Sequence, residues 1–186
     1  MALNGGKLNG KRVAFLFTDG VEEVELVSPL QAVLDEGATA SLVSLKVGEV
    51  QAYNHLHPAD RVLIDTAVAD ADSGDFDALV LPGGVANPDR LRQSDDALRF
   101  VKGFFEEDKP VAVICHGPWT LIDADVVKGR TLTSWPSLRV DLENAGATWV
   151  DEPVCVDHNL ISSRMPDDLV TFDRTMVAVV AGTDEV

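Results

Sequence analysis

Cysteine, positive charge and long apolar runs are all scarce in this chain of 186 residues. Its two cysteines, Cys115 and Cys155, form no Cys-x-x-Cys pair, which argues against a disulfide framework or a zinc knuckle. Lysine and arginine number 15 against 31 aspartates and glutamates, so the net charge is −16 at pH 7. A nucleic-acid groove would have to form against that negative field, and we therefore exclude nucleic acid as the main ligand.

The longest uninterrupted apolar run, Met176–Ala181, is far shorter than the roughly 20 residues of a membrane-spanning helix. Residues 1–10 lack the basic and apolar regions of a signal peptide, and we expect them to form a flexible N-terminal arm. Residues 11–186 are expected to form a single domain, since 46% of the chain is hydrophobic and its length suits one sizeable core. These features favour a cytoplasmic protein without a membrane partner.

Short apolar runs alternate along the chain with stretches of helical periodicity. The predicted strands are Arg12–Phe17, Ala40–Leu45, Arg61–Ile64, Asp77–Leu81, Val111–Ile114, Thr148–Val150, Val154–Asp157 and Leu160–Ser163. The predicted helices are Val21–Glu36, Asp95–Glu107, the segment from Cys115 to Val127, Leu138–Ala145 and Asp167–Val180. This alternation predicts an α/β fold with a doubly wound, mostly parallel sheet and helices on both faces.

Three unusual segments follow predicted strands directly, namely Thr18–Glu23, Pro82–Gly84 and Cys115–Trp119. In doubly wound sheets, ligands bind beyond the carboxyl ends of the strands, at the topological switch point. The sequence therefore predicts a functional site at this edge of the sheet.

Cys115 lies between a predicted strand and the start of a helix, the position of a nucleophile elbow. A helix N-terminus stabilises a thiolate, so we expect the pKa of the Cys115 thiol to be lowered. The alternative is a buried cysteine that acts as a small hydrophobe. His116 is a candidate general base, although adjacency in sequence does not guarantee that its ring reaches the thiol, and it could instead only pack at the helix start.

Gly83 and Gly84 bring backbone units without side chains to a neighbouring strand end, where an amide could face an oxyanion together with that of His116. Either Glu22 or Glu23 could be a simple helix-start carboxylate. If one of them is buried beside a thiolate, its pKa rises, so that it can donate a hydrogen bond to sulfur. Trp119 either lines a pocket or only packs, and both Trp119 and Gly83 are taken as candidate pocket-lining residues.

The remaining candidates give weaker signals. His55 and His57 share a strand face and could supply two metal ligands, but no third ligand stands out nearby, so we expect neither a metal nor another cofactor. His158 is expected in an exposed turn. Cys155 is expected to be structural.

Four segments together resemble one family. They are Ala112–Pro118 (AVICHGP), Leu81–Gly84 (LPGG), Asp19–Leu26 (DGVEEVEL) with Pro29, and Ser163–Leu169 (SRMPDDL). This combination resembles the PfpI family, the intracellular-protease-like branch (peptidase C56) of the class I glutamine amidotransferase-like superfamily that includes the parkinsonism-associated protein. The resemblance runs from Lys11 to Ala181.

The resemblance implies a flavodoxin-like α/β/α sandwich that forms homodimers or larger assemblies. By position, Cys115 matches the family's nucleophile, His116 the histidine after it, and Gly84 the glycine whose amide faces the oxyanion. Glu22 matches the carboxyl that hydrogen-bonds the cysteine. Asp89 matches an acid that reaches the histidine of a neighbouring subunit, in a loop that is one residue longer here. Glutamine hydrolysis is not expected, because the chain has no His-x-Glu.

Members of that family are described as proteases, glyoxalases or deglycases, chaperones and oxidative-stress proteins. A small shielded site suits an aldehyde or its protein adducts better than a folded polypeptide. We therefore expect a stress-protective, cysteine-dependent hydrolase of reactive dicarbonyls or their adducts. The alternatives are an intracellular cysteine peptidase and a redox sensor or chaperone that uses an oxidisable Cys115.

Overall fold

The computed structural model describes residues 6–183. The strands are β1 (Arg12–Leu16), β2 (Val21–Glu22), β3 (Thr39–Ser44), β4 (Gly48–Asn54), β5 (His57–Ile64), β6 (Thr66–Ala67), β7 (Ala78–Leu81), β8 (Val111–Ile114), β9 (Thr131–Leu132), β10 (Thr148–Trp149), β11 (Val154–Asp157) and β12 (Leu160–Ser163). The helices are α1 (Glu23–Asp35), α2 (Ala86–Leu91), α3 (Asp95–Glu106), α4 (Pro118–Asp123), α5 (Arg139–Asn144) and α6 (Leu169–Ala181).

The central sheet has the strand order β11-β12-β8-β7-β1-β3-β6 in the described chain. Every pairing in it is parallel except that of β11 with β12. The chain winds from β1 to β3 on one side and later returns to β7 on the other, so the switch point lies between β1 and β7. The predicted doubly wound, mostly parallel sheet is confirmed.

Helices cover both faces of this sheet because its inner strands are apolar on both sides. Phe15 of β1 packs with Leu26 of α1 and Phe172 of α6 on one face. The neighbouring Leu16 packs on the other face with Phe100 of α3, in a cluster that includes residues of α4 and α5. The result is the expected three-layer α/β/α sandwich.

Helix α1 buries a different face from the one that its apolar spacing suggests. Val24, Val27 and Leu34, which recur at helical spacing, are each exposed by at least 40%. The buried residues of α1 are Glu25, Leu26, Pro29 and Val33. The carboxylic acid of Glu25 therefore lies on the core-facing side of the helix.

The predicted N-terminal arm lies partly outside the described residues, and its described part, 6–10, is packed. Leu8 is fully buried, and its amide donates to the carbonyl oxygen of Glu36 at 2.9 Å. The expectation of a loose arm is wrong for this part because Leu8 joins the core cluster beside α1.

The irregular segment between β3 and β7 contains the antiparallel hairpin of β4 and β5, to which β2 adds as a third strand. Sequence periodicity indicated only the last four residues of β5 in this hairpin and missed β4. It also missed β2, β6, β9 and α2, because such short elements carry little periodic signal, whereas β10 was predicted within Thr148–Val150. No helix within residues 6–183 has the length and hydropathy needed to cross a membrane.

Candidate active site

Cys115 lies at a sharp turn between β8 and α4, as the elbow hypothesis predicts. Its φ of 62° is in the left-handed region, which is unusual for a residue with a side chain. Two long-range hydrogen bonds hold the turn: the Cys115 amide donates to Ser163 O at 3.1 Å, and Cys115 O accepts from the Trp135 amide at 2.9 Å. The thiol is buried, with 7% of the residue exposed.

The imidazole of His116 reaches the thiol despite the adjacency of the two residues. Its Nδ1 lies 3.2 Å from Cys115 Sγ, and within residues 6–183 this is the ring's only hydrogen-bond contact. Burial lowers the pKa of His116, so the ring is neutral near pH 7 and can accept a proton.

The carboxyl group that hydrogen-bonds Cys115 belongs to Glu25, not to Glu22. Glu25 is fully buried in the first turn of α1, and its Oε2 accepts from the Gly83 amide at 2.9 Å. The assignment of this role to Glu22 is therefore wrong. Glu22 belongs to β2, and its two carboxylate oxygens lie 3.2 and 3.0 Å from the amide nitrogen of His55 in the hairpin turn.

The expected amides of Gly84 and His116 both donate toward the sulfur of Cys115. Gly84 has a φ of 79°, and a Cβ there would collide with the carbonyl oxygen of Gly20. Only glycine can therefore bring the amide of residue 84 into this position. The two donors form an arrangement suited to a negatively charged oxygen or sulfur.

Burial raises the pKa of Glu25 to about 8, against the opposing hydrogen bonds from Cys115 and from the amides of Gly83 and Gly84. Burial also raises the pKa of the Cys115 thiol, and the Glu25 carboxylate raises it further. The structure does not support the expected lowering of the thiol pKa, because burial shields the sulfur from water. Near pH 7 Glu25 is mainly protonated and can donate to sulfur.

Cys115 and His116 line a cavity of about 670 Å³. Its other lining residues are Asp19, Gly20, Glu22, Glu25, Gln51, Tyr53, His55, Leu56, Gly84, Val85, Ala86, Arg90, Trp135 and Pro166. Two predicted lining residues are not among them. Trp119 packs behind His116, where its Nε1 donates to Asp141 at 2.9 Å, and Gly83 is covered by Glu25.

Asn87 is a buried residue that sequence reasoning did not single out. Its Oδ1 accepts from the Thr18 amide at 2.8 Å, and its Nδ2 donates to the carbonyl oxygens of Pro82 and Gly83. It thereby ties the segment after β1 to the segment after β7. In the sequence, the position of Asn87 shortly after the Gly83-Gly84 turn is the feature that could have indicated this role.

Asp89 is exposed on α2, and within residues 6–183 it forms no hydrogen bond with His116. The structure does not bring it into the cavity of its own chain. Its predicted role across a subunit boundary stays a prediction.

The remaining candidates are dispersed. His55, with a φ of 57°, forms the hairpin turn and lines the cavity, whereas His57 is exposed on β5. His158 lies in an exposed turn, as expected. Cys155 is half-buried on β11, with its Sγ 3.6 Å from Thr131 O. Residues 6–183 contain no cluster of three or more histidine, cysteine or acidic side chains that could hold a metal ion.

The fold and the site place this protein among flavodoxin-like α/β proteins that carry a buried cysteine on an elbow beside the switch point. The sequence matches the DJ-1/PfpI family over residues 11–179. It is 44% identical over 164 residues to YraA of Bacillus subtilis (strain 168), named as a candidate cysteine protease, with 88% of this chain and 95% of that protein covered. The chain therefore belongs to the DJ-1/PfpI family.

A second relative and a solved structure agree with this assignment. The chain is 42% identical over 169 residues to a Thermococcus kodakarensis protein named as a deglycase, with 91% of this chain and 99% of that protein covered. The crystal structure of Drosophila melanogaster DJ-1beta is similar with a TM-score of 0.85 and 28% identity, covering 94% of this chain and 92% of that one.

Proposed function

We propose that this protein is a stress-protective, cytoplasmic hydrolase that uses Cys115 to convert reactive dicarbonyls or their protein adducts, as a glyoxalase or deglycase does. The observation that carries the proposal is the Cys115 thiol in the cavity wall, between Nδ1 of His116 and the carboxyl of Glu25. The deglycase name of the T. kodakarensis relative supports it. A cytoplasmic setting would keep the two cysteines reduced, and both are free.

The geometry suits addition of sulfur to an aldehyde. Sγ of Cys115 forms a bond to the carbonyl carbon, the thiol proton passes to His116 Nδ1, and the carbonyl π pair moves to oxygen. The amides of Gly84 and His116 stabilise that oxygen until it is protonated. With an α-dicarbonyl, transfer of the aldehyde hydrogen to the neighbouring carbonyl carbon gives a 2-hydroxy thioester, which water cleaves to the hydroxy acid. The substrate oxidises one of its own carbons and reduces the other, so no external oxidant is needed.

The shape of the site favours a small substrate. Cys115 is 7% exposed, so a reacting carbonyl must enter the cavity to reach sulfur. A dicarbonyl or a modified side chain fits a volume of about 670 Å³, whereas a folded polypeptide does not. A cysteine peptidase is the second candidate, favoured by the name of the B. subtilis relative. A peptidase would need an unfolded segment of its substrate to enter the cavity.

We also propose that a second copy of the chain covers this site. Leu56 and Val85 line the cavity with 89% and 56% of their surfaces exposed, and a second copy on this face would bury both. Asp89 is exposed on α2, the helix after Val85, and would supply the acid for the free nitrogen of His116. Sedimentation at micromolar concentration should show no dominant species of 20.0 kDa. A fully active monomer would refute the shared site.

A substrate panel tests the function directly. Wild-type protein and Cys115→Ser are compared on methylglyoxal, a methylglyoxal-modified peptide and a fluorogenic peptide. We expect repeated turnover of the first or second substrate by the wild type only. Turnover of the fluorogenic peptide alone would favour the peptidase. Consumption of one equivalent of peroxide per Cys115, with no substrate turned over, would instead indicate a redox sensor.

A further inference from the structure

The ring of His116 is held between two indole rings. Trp135 stacks on it with centroids 5.8 Å apart and an angle of 23° between the ring planes. Trp119 meets it edge to face, with centroids 5.3 Å apart and an angle of 66°. Adjacent side chains do not face each other by default, so the contact of 3.2 Å between Nδ1 and Cys115 Sγ requires something to orient the imidazole.

Trp119 is itself fixed from the side away from the cavity. Its Nε1 donates to Asp141 Oδ2 at 2.9 Å, which joins α4 to α5. The guanidinium of Arg92 lies 5.4 Å from the centroid of its ring, and the Nε of Arg92 donates to Asp123 Oδ2 at 2.6 Å. These contacts leave the indole little freedom to move away from His116.

Trp135 is fixed by the elbow. Its backbone amide donates to the carbonyl oxygen of Cys115 at 2.9 Å, so the residue that stacks on His116 also holds the nucleophile's own backbone. The ring faces the cavity on one side, and 38% of the residue is exposed. Two separate chain segments thus converge on the imidazole.

We propose that Trp119 and Trp135 are positioning residues that form an aromatic clamp and hold Nδ1 of His116 against the Cys115 thiol. The clamp leaves Nε2 as the ring nitrogen available to a second acid or to the substrate. The stacked indole face of Trp135 also stabilises the imidazolium that forms when the ring takes the thiol proton, through a cation–π interaction. This inference rests on the proposed role of His116 as the base.

Trp119 offers the sharper test because it does not line the cavity, so replacing it does not open a path to Cys115. We expect Trp119→Leu to slow alkylation of Cys115 by iodoacetamide about five- to tenfold near pH 7, because the base is no longer held in place. His116→Gln, which removes the base, should slow it by a similar factor. Trp119→Phe keeps an aromatic edge and should recover most of the rate. Asp141→Ala, at an exposed position, should slow alkylation less than Trp119→Leu. Phe105→Leu, on α3 and outside the cavity, is the control and should leave the rate unchanged.

The second readout is independent of turnover and of alkylation. The ¹⁵N shifts of the His116 ring, identified by their loss in His116→Gln, report whether one tautomer is fixed. We expect widely separated Nδ1 and Nε2 signals in the wild type and in Trp135→Phe, and averaged signals in Trp119→Leu and Trp135→Leu. Circular dichroism checks that each variant is folded. Unchanged ring signals in both leucine variants would overturn the clamp. If dicarbonyl turnover is absent but the ring signals average as expected, the clamp holds and the proposed substrate fails.

Discussion

The carboxyl group of Glu25 is hydrogen-bonded to the thiol of Cys115 beside Gly83, although the two residues lie far apart in the sequence. A Cβ on Gly83 would lie 2.5 Å from Glu25 Oε2 and 2.6 Å from Cys115 Cβ, so a glycine is needed for the two groups to approach. A Glu25 carboxylate and a Cys115 thiolate in hydrogen-bonding contact in a dry site would repel each other strongly. The pair therefore shares protons, and the acid keeps one near neutral pH.

Replacing Glu25 should change how stability depends on pH. The pKa of Glu25 rises from 4.5 to about 8 on folding, so the acid favours the folded state fully below pH 4.5 and loses that contribution as pH rises through about 8. Glu25→Gln does not titrate. We expect the stability of the wild type relative to Glu25→Gln to fall by a few kcal/mol across this window, measured by urea unfolding at successive pH values.

The control for this series is Glu106→Gln, which changes an exposed glutamate at the end of α3. Its curve should run parallel to that of the wild type. Equal pH dependence in Glu25→Gln and the wild type would mean that Glu25 titrates normally and does not share a proton with Cys115.

The Cys115 elbow could be predicted from sequence because its signals are local. Four buried apolar strand residues are followed directly by the cysteine and, one residue later, by a Gly-Pro helix start. The sheet could be predicted for the same reason, since each inner strand is a continuous apolar run. The contact between Cys115 and His116 could not, because it depends on Trp119 and Trp135, which tertiary packing brings together.

The sequence offered Glu22 and Glu23 as candidate acids and not Glu25, whose role depends on which face of α1 is buried. The apolar stripe through Val24 and Val27 favoured the wrong face, because those residues are exposed. The correct signal was weaker: Glu25, Pro29 and Val33 follow at spacings of four and are all buried. Sequence alone does not identify a glutamate in that series as a core residue, since its burial is stabilised by the Gly83 and Gly84 amides and the Cys115 thiol, which other segments supply.

Cys115 should be alkylated before Cys155 when iodoacetamide is added near neutral pH. Cys115 opens on the cavity and has the His116 ring to accept its proton, whereas the Cys155 thiol lies 3.6 Å from Thr131 O and has no base beside it within residues 6–183. Peptide mapping by mass spectrometry identifies the modified thiol, and first labelling at Cys155 would contradict the site.

Gly83→Ala should destabilise the protein severely. The new Cβ would meet Glu25 and Cys115 at 2.5 and 2.6 Å and the carbonyl oxygen of Ile114 at 2.9 Å, so buried groups on two segments, α1 and the end of β8, must move. We expect a loss of at least about 3 kcal/mol in the free energy of unfolding. Gly74→Ala is the control, since its nearest contact is the exposed Asp72 carboxylate at 3.1 Å. A loss below 1 kcal/mol at Gly83, by the estimate of about 1–3 kcal/mol for overpacking, would show that the site can widen.

Asp173 should oppose folding at neutral pH from a position between α1 and α6. Its Oδ2 accepts from Ser28 Oγ at 2.5 Å, while its Oδ1 is buried without a hydrogen-bond partner within residues 6–183. Burial raises its pKa from 3.8 to about 6, against the Ser28 hydrogen bond, so its contribution to stability is present below pH 3.8 and is lost as pH rises through 6. Because the side chain is partly exposed and solvent screens the charge, we expect Asp173→Asn to gain only about 1 kcal/mol on the wild type over this range. Thermal unfolding at several pH values measures the gain, and Asp70→Asn, at an exposed turn, should show none. A constant difference between Asp173→Asn and the wild type at every pH would mean that folding leaves the pKa of Asp173 unchanged.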